Sequence, residues 1–258
     1  MSPSTDHVDF VEAPGRFMEP SAGALVVETP RFVLVAGTDG VWASVQALRL
    51  RDGEAADAIA AVRELVAPVG TRVVSWWLTE HSTPRGVEEQ LLDAGLELVA
   101  DDYLLDGLLA TMPPPEGPPE IETRMAANAE QWAEIRTLMD DVFDNPPERR
   151  ATREQLLAEF DRTPAALFGA WLDGELAAAG AATPTSRGLL LWGGSVRADA
   201  RGRGCYRALV RARWDEAVRR GTPALTVSAN DKSSPVLRRL GFEKVLEFRR
   251  IEDVLSET

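Results

Sequence analysis

Residues 196–206 read Val-Arg-Ala-Asp-Ala-Arg-Gly-Arg-Gly-Cys-Tyr, between an apolar run from Leu189 to Trp192 and a helical pattern that begins near Tyr206. Strand, glycine turn, helix is the layout of a diphosphate cradle. Glycines let the backbone approach an anion closely. The helix start presents unpaired N–H groups and a partial positive charge to it. A phosphate-bearing cofactor is the first expectation.

The elements on either side fit an alternating pattern. Ile121–Met125 reads as a strand. Trp132, Ile135, Leu138, Met139 and Val142 recur at helical spacing, so 130–143 reads as an amphipathic helix. A shorter helix is expected at 153–160, then a strand at 167–172. Asp173-Gly174 makes a tight hairpin turn into a strand at 176–182. The strand at 189–196 enters the glycine turn. Tyr206, Leu209, Val210, Trp214 and Ala217 give the next helix one apolar face, and Gly221 ends it. A strand at 224–228, a helix at 234–240 closed by Gly241, and a strand at 243–251 complete the order β-α-α-β-β-β-α-β-α-β.

The first half reads as a thinner copy. Strands are expected at 31–36, 42–48, 73–78 and 96–99, with helices at 54–66 and 84–94. The run Ser82-Thr83-Pro84 to Gly95-Leu96 parallels Ser233-Ser234-Pro235 to Gly241-Phe242, a weak internal repeat. Only the second copy has the Arg-Gly-Arg-Gly turn. Trp76 and Trp77 point to opposite faces of a strand: one is expected in the core, the other against the second domain. Pro-Pro-Pro-Glu-Gly-Pro-Pro-Glu at 113–120 cannot be helix or inner strand. It divides a domain at 1–112 from one at 121–258.

Composition narrows the function classes. The 258 residues carry a formal net charge of −13, with 19 acids against 7 bases up to residue 118 and 22 against 21 beyond it. That acidity argues against non-specific nucleic-acid binding. One cysteine excludes an internal disulfide, and two histidines make a zinc site improbable, so no metal is expected. No apolar run is long enough for a membrane span and no leader is recognised. A cytoplasmic enzyme or binding protein, monomeric or homodimeric, fits best.

The second half, about 119–258, resembles the GNAT acetyltransferase superfamily in element order, in the acyl-CoA signature Arg/Gln-x-x-Gly-x-Gly/Ala met by Arg201 and Gly204, and in the later Asn230 and Leu240-Gly241-Phe242. Tyr206 departs from the signature, where Gly or Ala is usual; its helical spacing turns it inward as the first apolar position. The resemblance implies an α/β (α+β) fold with a mixed central GNAT-type sheet and flanking helices, as two tandem GNAT-like domains, the first degenerate. It implies acyl-CoA, most simply acetyl-CoA, bound in a splay between the fourth and fifth strands of the second domain. Gly194, Ser195 and Val196 then hold the pantetheine arm. The amides from Arg201 through Gly202, Arg203, Gly204 and Cys205 to Tyr206 hold the diphosphate, and Asn230 orients the arm or the next helix.

For acyl transfer to a small amine, the Val196 amide is the expected oxyanion donor. The acid and base are less legible. The family's tyrosine acid falls on Leu237, and the fourth strand carries no acid. Ser234, at a helix start, is the nearest hydroxyl. Asp144, with Asp140, Asp141 and Glu148, lies where the family borders its acceptor. Cys205 is expected to be a small turn residue, although a thiol at a helix start can be acidified. Asp101, Asp102 and His81 have no spacing that calls for chemistry. A non-catalytic acyl-CoA-binding module is the alternative, and a docking protein without CoA affinity a third reading.

Overall fold

The computed structural model describes residues 4–19, 24–37, 40, 42–99, 103–147 and 150–255. In chain order they form α1 (Thr5–Glu12), β1 (Ala24–Glu28), β2 (Val33–Gly37), β3 (Ala43–Gln46), α2 (Ala55–Val66), β4 (Val73–Leu78), α3 (Val87–Asp93), β5 (Glu97–Leu98) and β6 (Leu104–Ala110). There follow β7 (Ile121–Met125), α4 (Ala129–Val142), α5 (Arg153–Glu159), β8 (Ala166–Leu172), β9 (Glu175–Thr185), β10 (Gly188–Val196), α6 (Cys205–Arg219), β11 (Leu225–Ala229), α7 (Ser234–Arg239) and β12 (Glu243–Val254). The chain divides into two compact units: residues 1–108, 228–235 and 244–258, and residues 109–227 with 236–243.

In the first unit the strands run β1-β2-β3-β4-β12-β6. β3 and β4 are parallel, joined through α2, as a strand–helix–strand crossover requires. Its core gathers Phe32, Leu34, Val45, Ile59, Val62, Trp76, Leu78 and Ile251. Membership differs from the expected boundary at the proline run, because β12 lies antiparallel on β4, from Arg249↔Leu78 to Val254↔Val73. Asp253, 1 % exposed, receives Nε and Nη2 of Arg63 at 2.9 and 2.6 Å, tying α2 to this last strand. Trp76 is core as expected. Trp77 stacks edge-on to Phe248 of β12, so its partner comes from the chain's C-terminal strand but within the same unit.

Four elements of this unit differ from the sequence expectation. α1, β1 and β6 have no counterpart in it, and the helix expected at 84–94 is the shorter α3.

In the second unit the order is β11-β10-β9-β8-β7. α4 begins where the Asn128 side chain accepts the Gln131 N–H, and α5 opens with a full Thr152/Gln155 capping box. Alternation along β9 assigns the two faces. Ala179 and Ala181 pack with Trp132, Ile135 and Met139 of α4, while Gly180 faces Arg213 of α6. Alanines and a glycine on β9 let both helices lie close to the sheet.

β10 carries a bulge. Its register with β9 runs through Trp192↔Ala181, then resumes at Ser195↔Ala179, leaving Gly193 and Gly194 opposite Gly180. Both glycines are required. Gly193 has φ +63, and a Cβ there would stand 2.1 Å from the Met139 methyl. A Cβ on Gly194 would stand 2.7 Å from the Tyr206 ring. No helix of the described residues is long and apolar enough to cross a membrane.

Candidate acyl-CoA site

β10 pairs with β11 only at Leu189↔Leu225 and Leu190↔Thr226. From Leu191 to Val196 the β11-side edge of β10 has no strand partner among the described residues. The Arg197 N–H bonds the Ala177 carbonyl on the β9 side. By the alternation of an antiparallel ladder, the Val196 N–H therefore points to the open edge. Ser195 is buried, its hydroxyl 3.4 Å from the Ala179 carbonyl, so its side chain faces away from that edge.

Beyond β10 the chain turns through Arg201 and Gly202 (φ +76) to Gly204, which caps α6 with φ +90 and no side-chain cap. Only glycine adopts these conformations without strain. The first intrahelical bond is Ala208 N–H to the Gly204 carbonyl, at 3.0 Å. The amides of Gly202, Gly204, Tyr206 and Arg207 donate to no protein acceptor among the described residues. Space beside Gly202 is open, with no atom within 4 Å of an added Cβ. Unpaired amides, glycine clearance and a helix start fit a diphosphate, and the free edge of β10 fits an extended arm that pairs as a strand would.

The arginines around the turn have differing commitments. Arg201 Nε is 3.4 Å from the Val196 carbonyl, at the limit of a hydrogen bond, and its guanidinium is exposed. Arg203 is exposed and reaches Asp173 only at 3.4 Å. Arg197 is held by Asp199 and Glu175, whose hydrogen bonds raise its already high pKa. Arg211 pairs with Asp215 at 2.9 Å, as the helix spacing suggests, but also reaches the Pro114 carbonyl at 3.3 Å and Glu116 at 3.8 Å. The proline run thus lies along α6. A Cβ on Gly117 would meet Ala208 Cα at 2.8 Å, and one on Gly204 would meet Pro118 Cγ at 2.6 Å.

Tyr206 turns inward, as its spacing implies. Burial raises its hydroxyl pKa, and the positive Arg213 beside it acts in the opposite sense. Arg213 itself is 1 % exposed and has no carboxylate partner among the described residues. Its Nε donates to the Leu209 carbonyl at 3.1 Å and Nη1 to that of Ala181 at 3.3 Å, while Nη2 has no partner. Burial lowers its pKa. Cys205 is 1 % exposed, and burial raises its thiol pKa, outweighing its place at the helix start.

The other expected residues lie elsewhere in the fold. Asn230 and Ser234 belong to the first unit. The Asn230 carboxamide oxygen accepts the N–H groups of Lys232 and Ser233 at 3.2 and 3.0 Å, the work of an Asx turn. Ser234 is buried and donates to Asp106 at 2.5 Å, and Asp106 receives Lys244 at 2.6 Å.

In the second unit Asp144 follows α4 in the left-handed region, φ +52. It is exposed and, among the described residues, has no ion-pair partner. Its neighbours are committed: Asp140 to Arg136 and Asn145, Asp141 to Arg150. Glu148, Asp101 and Asp102 lie outside the described residues. Leu237, at the family's acid position, is 1 % exposed.

In the first unit the helix that corresponds to α6 starts differently. Glu54 precedes α2, and its carboxylate accepts the Arg51 N–H at 2.9 Å. The protein's own anion stands at that helix start, where the second unit has Gly204.

Sequence reasoning missed Arg213, Gly180, Pro118 and Asp106. Arg213 was findable: at seven residues past Tyr206 and four past Leu209 it falls on the apolar face.

Residues 131–242 match the model of the acetyltransferase (GNAT) family. Among solved structures, a GCN5-related N-acetyltransferase from Kribbella flavida shares the fold at TM-score 0.69, 17 % identity, over 96 % of this chain and 95 % of that one. A tandem GNAT protein from the clavulanic acid biosynthesis pathway (without AcCoA) gives 0.57 at 17 % identity, over 100 % and 90 %. A GCN5-related N-acetyltransferase from Sphaerobacter thermophilus gives 0.59 at 17 %, over 88 % and 82 %. No curated protein sequence matches. Residues 131–242 are a GNAT acetyltransferase domain, and the chain has the tandem GNAT fold. The family implies acetyl transfer from acyl-CoA.

Proposed function

We propose that the chain transfers an acetyl group from acetyl-CoA to a small amine, directly, in a ternary complex. The single observation that carries this is the open edge of β10 running into the unpaired amides at the start of α6. Acetyl-CoA would supply a thioester carbonyl there: the neutral amine nitrogen bonds to its carbon, the C–S bond breaks, and the sulfur leaves as thiolate and takes up the proton that the nitrogen loses.

The residues divide that work. Amides of Gly202, Gly204, Tyr206 and Arg207 hold the diphosphate, with Arg201 and Arg203 adding charge. Gly194 and Val196 offer backbone groups to the arm, and the Val196 N–H faces the developing oxyanion. Asp144 attracts the ammonium form of the acceptor and takes its proton. Phe143 and Trp192, exposed by 52 and 36 %, offer apolar contact to the acceptor's body.

Direct transfer is favoured over an acyl-enzyme because Cys205 is buried with a raised pKa and the Ser234 hydroxyl is committed to Asp106.

A panel of amines assayed for free thiol release from acetyl-CoA tests the reading. At least one amine should give turnover, and Asp144→Asn should lower its kcat/KM at least tenfold while leaving acetyl-CoA affinity unchanged. Binding without turnover by any amine favours a non-catalytic acyl-CoA module, a reading supported by the buried Leu237 where the family's acid stands. No affinity for acetyl-CoA overturns both.

A further inference from the structure

A buried guanidinium without a counter-ion is costly, so its retention calls for a reason. Arg213 lies flat on Gly180: a Cβ there would stand 2.9 Å from Nη1 and 3.2 Å from Cζ. Gly180 is the β9 residue opposite the bulge of β10, and Nη1 holds the carbonyl of Ala181, the last residue in register before it. Seven residues earlier on the same helix face, the Tyr206 ring covers Gly194. The large residue that the acyl-CoA signature lacks at 206 is thus matched by an absent side chain at 194. From the other face of the sheet, Met139 presses on Gly193. Both bulged glycines are therefore gripped, and α6, which also carries the diphosphate amides, supplies the grip on one side.

We infer that Arg213 and Tyr206 are positioning residues for acyl transfer, holding the Gly193-Gly194 bulge so that the Val196 N–H faces the open edge of β10 while the amides of Ser195 and Arg197 stay turned to β9. The inference rests on the reading above for its chemistry, but its structural half stands without it. Replacing Arg213 by methionine removes the charge and the Ala181 bond while filling similar space. Such replacements of buried ionic groups tend to be neutral or stabilising, so loss of stability and loss of positioning separate.

Two measurements test this on the full chain. Hydrogen exchange without ligand should show the amides turned to β9 just past the bulge, those of Ser195 and Arg197, at least tenfold faster in Arg213→Met and Tyr206→Ala, with Leu189–Leu191 unchanged. Calorimetry with acetyl-CoA and with CoA should show about a tenfold loss in acetyl-CoA affinity relative to CoA, because the thioester carbonyl loses its aimed donor. Arg213→Lys, which keeps a donor for Ala181, should recover most of both. Unchanged exchange at Ser195 and Arg197, or acceleration spread evenly along β9 and β10, overturns the inference. If wild type binds neither probe, the acetyl-transfer reading fails while the exchange result still decides the bulge. If Arg213→Met does not fold, Tyr206→Ala and Arg213→Lys decide it by the same exchange pattern.

Discussion

Gly202 and Gly204 share a left-handed backbone but not their surroundings, and the difference yields a quantitative prediction. A Cβ on Gly202 (φ +76) meets nothing within 4 Å; one on Gly204 (φ +90) meets Pro118 Cγ at 2.6 Å and Cδ at 2.8 Å. An alanine at either position incurs the left-handed penalty of roughly 1 kcal/mol. At 204 it must also displace a rigid pyrrolidine ring, and overpacking of this kind costs about 1–3 kcal/mol. Gly202→Ala should therefore cost about 1 kcal/mol and Gly204→Ala about 2–4 kcal/mol. At about 2–4 °C per kcal/mol for a chain of this size, thermal melts should fall by about 2–4 °C for Gly202→Ala and about 4–16 °C for Gly204→Ala. Pro118→Ala removes the atoms Gly204→Ala strikes, so the double variant should recover about 1–2 kcal/mol, whereas Pro118→Ala with Gly202→Ala should simply add. Circular dichroism melts of the five variants are the assay. Equal losses at 202 and 204, or no coupling between 204 and 118, would refute the packing of the proline run against the start of α6.

Three further outcomes follow from the ion pairs and the thiol. Asp253→Ala removes the acceptor of two charge-assisted hydrogen bonds from a half-exposed Arg63; it should cost about 1.5–3 kcal/mol in thermal unfolding, and a loss below about 0.5 kcal/mol would contradict the tie between α2 and β12. Hydrogen bonds from Arg219 and Arg220 hold the Glu216 carboxyl below its ordinary pKa. Its folded pKa is depressed, so its stabilisation is present above the unfolded value and is lost as pH falls through the folded one. Glu216→Gln should flatten the acid side of the stability–pH curve, and an unaltered curve would remove Glu216 from that role. Cys205, with its pKa raised by burial, should resist iodoacetamide at pH 8 and react only on unfolding; rapid labelling of the native protein would place the thiol at the surface instead.

The second unit was legible because its elements declare themselves locally. The Asn128 cap, the hairpin at Asp173-Gly174 and the apolar stripe from Leu209 to Ala217 each lie within a few residues of what they determine. The glycine turn was legible for the same reason: φ at 202 and 204 is a single-residue property. Partnership across the sequence was not. The alternation of Leu246 with Phe248, taken up again at Ile251 and Asp253, marks β12 as a strand, but no local signal says that it pairs with β4. β6 hides because Gly107 interrupts its apolar run; the glycine is there because Leu246 and Val11 stand 2.6 and 2.8 Å from where its Cβ would be. Ser234 read as a hydroxyl at a helix start, where nothing announces Asp106 from 128 residues away. Arg213 went unread, because the small residue that receives it, Gly180, lies on another element.

The most direct test of the account follows the backbone amides of the 15N-labelled chain while CoA, and separately pantetheine without the diphosphate, is titrated in. CoA should shift Gly202, Gly204, Tyr206 and Arg207 together with Val196, and pantetheine should move Val196 while leaving the four amides at the start of α6 in place. If CoA leaves those four amides unmoved, the diphosphate is not held there and the acetyl-transfer reading loses its foundation.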